Sequence, residues 1–477
     1  MEAIVEAVDK IRIARIREAQ EIKSIELRGE PLANRKKRLK VLNDWIFANR
    51  EKIKQAVHAD FKKPLLEVDT SEIYPVVSEI RHALENLDGW AKPKKIDAPL
   101  TYLGTRAEVR FEPKGVCLII APWNFPFNLC LGPLVSCLAA GNTAIVKPSE
   151  LTPHTSKLIK EMIDELFDED VVAVVEGGID ISNCLLDIKV DHIFFTGSPA
   201  VGKVVMKAAA AHLTSVTLEL GGKSPTIIDS TSSIADAAKR IAFGKFLNNG
   251  QTCIAPDYVL VEEKIKNKFI EALRKQVIAL FGEQNSITEN SPHYSRVVNE
   301  RHFSRINQLL QDALQKGATL NMQGEVNART NFIHPMILSD VSKDAKIMEE
   351  EIFGPVLPIL TFNSAEEVIQ LINSKPKPLA LYIFSNSRKF RESVLSKTSA
   401  GSVVINDCVL QFTHPNLPFG GVNNSGIGKS HGQYGFMAFS NEKPVLRQKN
   451  GFSSLYFLYP PYTSGMKKIV DILLRWF

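Results

Sequence analysis

Three side chains in this sequence are of types that could carry out acyl chemistry. Cys253 lies in Gly250-Gln251-Thr252-Cys253-Ile254-Ala255, after a helical stretch and before an apolar run at 257–262. An unperturbed thiol is only a few per cent thiolate near neutral pH. A nearby helix N-terminus or a cationic cofactor would raise that fraction and make Cys253 a nucleophile; the alternative is a buried structural thiol. Glu219, in Leu218-Glu219-Leu220-Gly221-Gly222, stands at the end of an apolar strand, where α/β folds bind ligands. It is either a general base with its pKa raised by burial or a salt-bridged strand terminus. Asn124, in Pro122-Trp123-Asn124-Phe125-Pro126, follows another apolar run, in a turn stiffened by two prolines. Its amide could hold a developing oxyanion or hydrogen-bond its own turn.

The elements that must position these residues follow from hydrophobic patterning. Residues 1–90 read as helices, with Leu39, Leu42, Ile46, Ile53 and Val57 near helical spacing. Pro31 suits the first turn of the second helix. Residues 91–112 suggest an extended excursion or hairpin. Strands are expected at 116–121, 143–146, 171–175, 192–195 and 214–220, with helices near 133–140, 154–166, 181–186 and 199–211. A second series has strands at 225–229, 257–262, 334–339, 356–362, 380–385 and 401–406. Its helices are expected at 233–247, 264–281, 299–316, 364–373 and 387–398. Such alternation predicts an α/β fold with parallel sheets and crossover helices. The segment from Phe194 to Gly202 follows a strand and opens a helix, so its backbone could face a pyrophosphate; an ordinary strand-to-helix turn is the alternative.

Other motifs fail on spacing. Gly-Lys-Ser occurs at 222–224 and 428–430, but a P-loop needs a further glycine where Thr217 and Asn423 stand. Gly426, Gly428 and Gly432 have G-x-G-x-x-x-G spacing, which suits turns and close packing better than a dinucleotide fingerprint. Ser198 and Ser425 lack the first glycine of a nucleophile elbow. None of the six cysteines forms a C-x-x-C pair, so zinc and thioredoxin-like sites have no support.

Composition sets outer bounds. The chain has 477 residues, 44% hydrophobic and 23% charged, with a net charge of +5. That length predicts roughly two to four domains. It excludes a disulfide scaffold, a collagen-like fibre and a disordered tail protein. The small positive excess does not favour nucleic-acid binding. No apolar h-region or membrane-spanning run is present, and reduced thiols fit a cytoplasmic protein. From Gly465 to Phe477, three basic residues against one acidic leave +2, and Met466, Ile469, Val470, Leu473, Leu474 and Phe477 lie near one helical face. Such a tail could lie on an anionic membrane surface or pack on the protein's own dimer.

Together and in this order, the motifs closely resemble the NAD(P)-dependent aldehyde dehydrogenase superfamily. They are Pro-Trp-Asn-Phe-Pro (122–126), Lys-Pro-Ser-Glu (147–150), Phe-Thr-Gly-Ser (195–198) and Leu-Glu-Leu-Gly-Gly-Lys (218–223). Gly-Gln-Thr-Cys (250–253), Glu-Glu-Ile-Phe-Gly-Pro (350–355) and Pro-Phe-Gly-Gly (418–421) complete them. Asn406-Asp407, His414-Pro415, Ser430-His431-Gly432 and Tyr459 to Thr463 resemble the class-3 branch, which contains the fatty aldehyde dehydrogenases. Asn423 departs from the glycine common in relatives, and a local effect is expected because Asn tolerates left-handed geometry.

The resemblance implies catalysis by Cys253 as nucleophile, Asn124 and the Cys253 amide as oxyanion donors, and Glu219 as the base that activates water. It implies that Lys147 and Glu150 contact the adenosine ribose, and that Gly197 and Ser198 approach the pyrophosphate. Glu351 would hold the nicotinamide ribose and Phe353 the nicotinamide end. Trp123, Gly202, Leu220 and Gly221 complete the implied cofactor site. NAD is the first choice, because Glu150 repels a 2′-phosphate, and NADP is also admitted; no metal is implied. The implied architecture is a Rossmann-like domain over 1–90 and 113–220 and a catalytic domain over 221–421. A bridging, dimerising element would span 91–112 and 422–450, followed by an amphipathic tail over 451–477. A homodimer and a medium-to-long aliphatic aldehyde are expected, with aromatic aldehydes also admitted. The competing readings are a CoA-acylating semialdehyde dehydrogenase, whose relatives generally lack the base that Glu219 provides, and a non-catalytic membrane-associated scaffold.

Overall fold

A computed structural model describes residues 2–456 and 459–476. Met1 and Phe477 of the sequence reading, and residues 457–458 of its tail, lie outside the described residues. Two parallel sheets organise the chain. The first has the spatial order Gly426–Ile427, Ser215–Leu220, His192–Gly197, Val116–Ile120, Thr143–Lys147 and Val172–Val174. All its pairs are parallel except the first, where Gly426–Ile427 runs antiparallel to Leu218–Glu219. Strand Val116–Ile120 is buried on both faces. Its side chains alternate as a pleat requires. Cys117 and Ile119 enter a core built with the N-terminal helices, while Val116, Leu118 and Ile120 enter the core on the opposite face. This double burial explains why these strands read as unbroken apolar runs.

The second sheet has the order Thr319–Met322, Met336–Ser339, Val356–Phe362, Tyr258–Glu262, Pro225–Ile228, Ala380–Phe384 and Ser402–Ile405. Val259 and Val261 pack with helices Ile234–Phe246 and Lys266–Phe281. Tyr258 and Leu260 pack on the other face with helix Glu300–Gln315. The antiparallel edge strand Thr319–Met322 was not expected from the sequence. It is half-exposed and carries one register shift, so its apolar pattern is weak.

Residues 91–112 form the expected extended excursion. Lys94–Ile96 pairs with Thr105–Pro113, which pairs in turn with Ser440–Gln448 along nine residues. Pro31 caps the helix Leu32–Ala48 from outside it, in an extended conformation, instead of entering its first turn. The helix expected near 133–140 begins earlier, at Asn128, and carries Pro133 inside it. Proline has no N–H to bond the carbonyl of Leu129, a residue that borders both cavities described below. The tail helix Ser464–Trp476 leaves Ile469, Ile472 and Leu474 exposed. Among the described residues, no helix is long and apolar enough to cross a membrane.

Candidate active site

The C-terminal ends of the first sheet's parallel strands share one edge; Glu219, Gly197 and Lys147 stand in the last residues of their strands there, and Asn124 in the turn after Val116–Ile120. The second sheet contributes the loop before Tyr258. That loop is unusual: Asn248, Asn249 and Gly250 are all left-handed, with φ of 53°, 58° and 73°. A Cβ on Gly250 would lie 2.4 Å from the carbonyl oxygen of Gly354, so this position requires glycine twice over. The turn delivers half-buried Cys253 to the junction of two cavities, which also share Leu129, Thr196, Glu219 and Leu220.

Asn124 is tied to the cysteine loop. Its Nδ2 donates to the carbonyl of Gln251 at 3.0 Å, leaving a second N–H for a ligand. Gln251 is itself fixed, donating to the carbonyls of Asn248 and Arg296 at 3.0 and 2.9 Å and accepting from Val298 N. Glu219 Oε1 accepts from Ser430 Oγ at 2.9 Å, and its buried Oε2 has no hydrogen-bond partner. Burial pushes this carboxyl up to about 8, against the opposing pull of Ser430 and Lys429. A carboxyl with one free, buried oxygen is poised to accept a proton from water. Burial also pushes the Cys253 thiol up, and the carboxylates of Glu351 and Glu219 push the same way. The amides of Cys253 and Ile254 hydrogen-bond the sulfur and pull it down. A cation on the Cys253 side of the junction would therefore have a large effect on thiolate formation.

The first cavity is largely apolar, with Tyr74, Pro75, Leu129, Phe412 and Phe419 on its walls and Glu79 and His431 as polar intrusions. The second runs past Trp123, Gly197, Ser198, Gly221, Glu351 and Phe353. Trp123 meets Phe353 edge-on at 5.4 Å and His302 at 5.0 Å. Ser198 caps the helix Pro199–Ala210, so that helix's positive end opens onto this cavity. Glu351 folds over the glycine turn and accepts from the Gly222 amide; a Cβ on Gly221 would lie 2.0 Å from its Oε2. A helix N-terminus at the cavity wall, bare glycine backbone and an aromatic wall fit an elongated anionic ligand with a planar ring.

Of the residues singled out from sequence, Cys253, Glu219 and Asn124 converge, and so do Trp123, Gly197, Ser198, Leu220, Gly221, Glu351 and Phe353. Three stand apart from both cavities. Lys147 and Glu150 form an ion pair of 2.9 Å one strand further along the edge. Gly202 is buried in helix Pro199–Ala210, where a Cβ would lie 2.7 Å from Leu220 Cδ2, so it lets helix and strand approach. Ser430, His302 and Arg305 went unrecognised as site residues. Arg305 donates to the carbonyls of Glu351 and Ile352 at 3.2 and 2.6 Å. His302 and Arg305 lie on an ordinary amphipathic helix, and Ser430 reaches Glu219 across a two-residue strand pairing. His302 and Arg305 leave no pattern in sequence, and the motif that carries Ser430 does not show that it meets Glu219. Among the described residues no cluster could hold a metal ion.

The sequence matches the model of the aldehyde dehydrogenase family over residues 4–445. It is 43% identical over 435 residues to the 4,4'-diaponeurosporen-aldehyde dehydrogenase of Staphylococcus aureus, covering 91% of this chain and 93% of that protein. Against aldehyde dehydrogenase family 3 member A2 of Mus musculus it is 43% identical over 435 residues, covering 91% and 88%. The substrate-bound state of Staphylococcus aureus AldH superposes with a TM-score of 0.92 at 40% identity, covering 97% of this chain and 99% of that one. More distant structures hold dinucleotides. A Staphylococcus aureus betaine aldehyde dehydrogenase mutant contains NAD+ (28% identity, TM-score 0.83, coverage 94% and 91%). The GapN of Methanocaldococcus jannaschii contains NADP (26%, 0.83, 92% and 95%). Match, fold and site agree: this chain is an enzyme of the aldehyde dehydrogenase family.

Proposed function

We propose that the chain oxidises medium-to-long-chain aliphatic aldehydes to carboxylic acids with NAD(P)+ through a covalent intermediate on Cys253. The observation that carries this reading is the placement of Cys253, with Glu219 beside it, where an apolar cavity meets a polar one. The aldehyde enters by the apolar cavity. The Cys253 thiolate attacks its carbonyl carbon, and the oxyanion is held by the free N–H of Asn124 Nδ2 and by the Cys253 amide. The nicotinamide dinucleotide, when bound, supplies the hydride acceptor. Glu219 Oε2 then takes a proton from water, which attacks the thioester; the acid departs and the thiol is restored. Because Glu219 can supply this water chemistry, no CoA is needed.

For the dinucleotide, Gly197 and Ser198 would cradle the pyrophosphate at the helix N-terminus. Trp123, Leu220, Gly221 and Phe353 would shape the nicotinamide end and Glu351 would hold its ribose. Gly202 permits the close helix packing beneath the pyrophosphate. Lys147 and Glu150 would contact the adenosine ribose, where the Glu150 carboxylate would disfavour a 2′-phosphate and so favour NAD. The division into a cofactor domain (1–90 and 113–220), a catalytic domain (221–421) and a bridging element (91–112 and 422–450) belongs to the same reading. Initial rates of NADH formation with acetaldehyde through hexadecanal, and with benzaldehyde, test the substrate class. Specificity rising with chain length is expected. Activity confined to short polar aldehydes overturns it, and an absolute requirement for CoA replaces hydrolysis by acylation.

The same proposal places the enzyme in the cytoplasm as a homodimer joined through the three-stranded sheet, with the tail helix resting on anionic lipid through Lys467, Lys468 and Arg475 and its exposed apolar side chains. Light scattering should give twice the chain mass, and anionic but not neutral vesicles should sediment the full chain. A monomer sinks the first point, and no sedimentation the second.

A further inference from the structure

A buried group of charges lies behind the oxyanion site, and the reaction as described does not use it. Helix Arg50–Phe61 ends in left-handed Lys62, and the next residues turn inward. Lys63 and Glu72 are fully buried and paired at 2.5 Å. Lys63 also donates to the backbone carbonyl of Asn124 at 3.3 Å, with its ammonium 4.0 Å from the centre of the Phe125 ring. Glu72 Oε2 accepts from the amides of Phe127 and Asn128 at 3.2 and 3.0 Å. One carboxylate and one ammonium thus grip the Asn124 turn from behind.

The third member, Glu67, reaches the opposite wall. Its Oε1 accepts from the backbone N–H of Asn248 at 2.9 Å, at the first of the three left-handed residues before Cys253. Asn248 closes the circuit, because its Nδ2 donates to the Asn124 carbonyl at 2.8 Å and to the Gln251 carbonyl at 3.1 Å. The two walls of the oxyanion site come from different sheets, and their sequence positions are more than a hundred residues apart. The segment 63–72 bonds to both. Non-glycine residues in left-handed geometry persist only where their surroundings hold them, and a carboxylate on an amide is a stronger restraint than a neutral acceptor.

We propose that Glu67, with Lys63 and Glu72, is a positioning element that fixes the Cys253 loop against Asn124, setting the oxyanion geometry without touching substrate. Burying the Lys63 and Glu72 charges, with half-buried Glu67 beside them, is costly, and stability alone does not call for them here, since apolar packing of equal volume would serve. Misplacing reacting groups by about 1 Å can cost on the order of 100-fold in rate. The inference rests on the covalent mechanism proposed above and concerns one feature of it.

The test uses two reactions of the full-length enzyme. Aldehyde oxidation needs the dinucleotide. Hydrolysis of p-nitrophenyl acetate does not: the thiolate displaces p-nitrophenolate, and water then cleaves the thioester. Both pass through a tetrahedral oxyanion. Glu67→Ala should lower kcat for both reactions by the same factor, 10-fold or more, with KM for aldehyde and NAD affinity by fluorescence within threefold of wild type. Glu67→Gln keeps an acceptor for the Asn248 amide and should recover most of the loss. Asn248→Gly keeps the left-handed backbone, removes the side-chain bridge and should reproduce the Glu67→Ala phenotype if that variant folds poorly. Three results overturn the inference: unchanged kcat in Glu67→Ala and Asn248→Gly, loss of oxidation with ester hydrolysis intact, or an equal loss in Glu67→Gln. If wild type has no activity, or Cys253→Ala keeps it, the covalent reading itself fails.

Discussion

Replacing Cys253 with alanine is expected to remove aldehyde-dependent NADH formation, lowering kcat by about 10⁴-fold or more, as deletion of a covalent nucleophile does. The expectation follows from placement. The other five cysteines are buried, and none lines either cavity. No second thiol can substitute. Without the sulfur the aldehyde carbonyl stays trigonal, and it has no oxyanion from which hydride can leave. Alanine fits the half-buried position without clash, so melting temperature and dinucleotide affinity should stay close to wild type. Absorbance of NADH over hours reads the residual rate. Activity above a tenth of wild type would contradict the role given to Cys253.

The second large effect is kinetic in shape. Glu219→Gln should release about one equivalent of NADH per active site in a burst and then turn over at least 100-fold more slowly, the usual scale of general-base catalysis. The carboxamide keeps an acceptor for Ser430 Oγ, so the local structure should survive, but it cannot take a proton from water. The pH profile gives an independent handle. Burial raises the Glu219 carboxyl to about 8. Below that value it is mostly protonated and inactive as a base, with about a tenth ionised at pH 7. Thioester hydrolysis in wild type should therefore rise with pH through about 8 and level off above it, while the slow phase of Glu219→Gln stays flat across the same window. Rapid-mixing absorbance separates the burst from the slow phase. A variant without a burst, or with wild-type turnover, would remove Glu219 from the hydrolytic step.

Much of this was legible in the sequence, for a physical reason. Strands buried on both faces are unbroken apolar runs, and the crossover helices are amphipathic, so both announce themselves locally. Val116–Ile120 and Val356–Phe362 were placed to within a residue. Cys253 and Asn124 each sit in a turn marked by glycine or proline, and Glu219 ends a strand just before a glycine pair, which exposes all three to inspection. What escaped is what tertiary contact creates. Ser430 and Glu219 meet across 211 positions. Lys63 and Glu72 fall within the stretch read only as helical and carry no motif, yet the fold buries both completely. Thr319–Met322 gave no pattern because an exposed edge does not need one. The glycines at 420–428 matched no ligand motif and serve packing: a Cβ on Gly426 would lie 2.4 Å from the carbonyl oxygen of Leu218.

The central claim is that a thioester forms on Cys253 and that Glu219 is needed to clear it. Intact-protein and peptide mass spectrometry of Glu219→Gln, quenched after incubation with NAD+ and decanal, tests it most directly. The account predicts a gain equal to the aldehyde less two hydrogens, confined to the peptide carrying Cys253 and absent when NAD+ is omitted. An unmodified Cys253, or the acyl group on another residue, would contradict it.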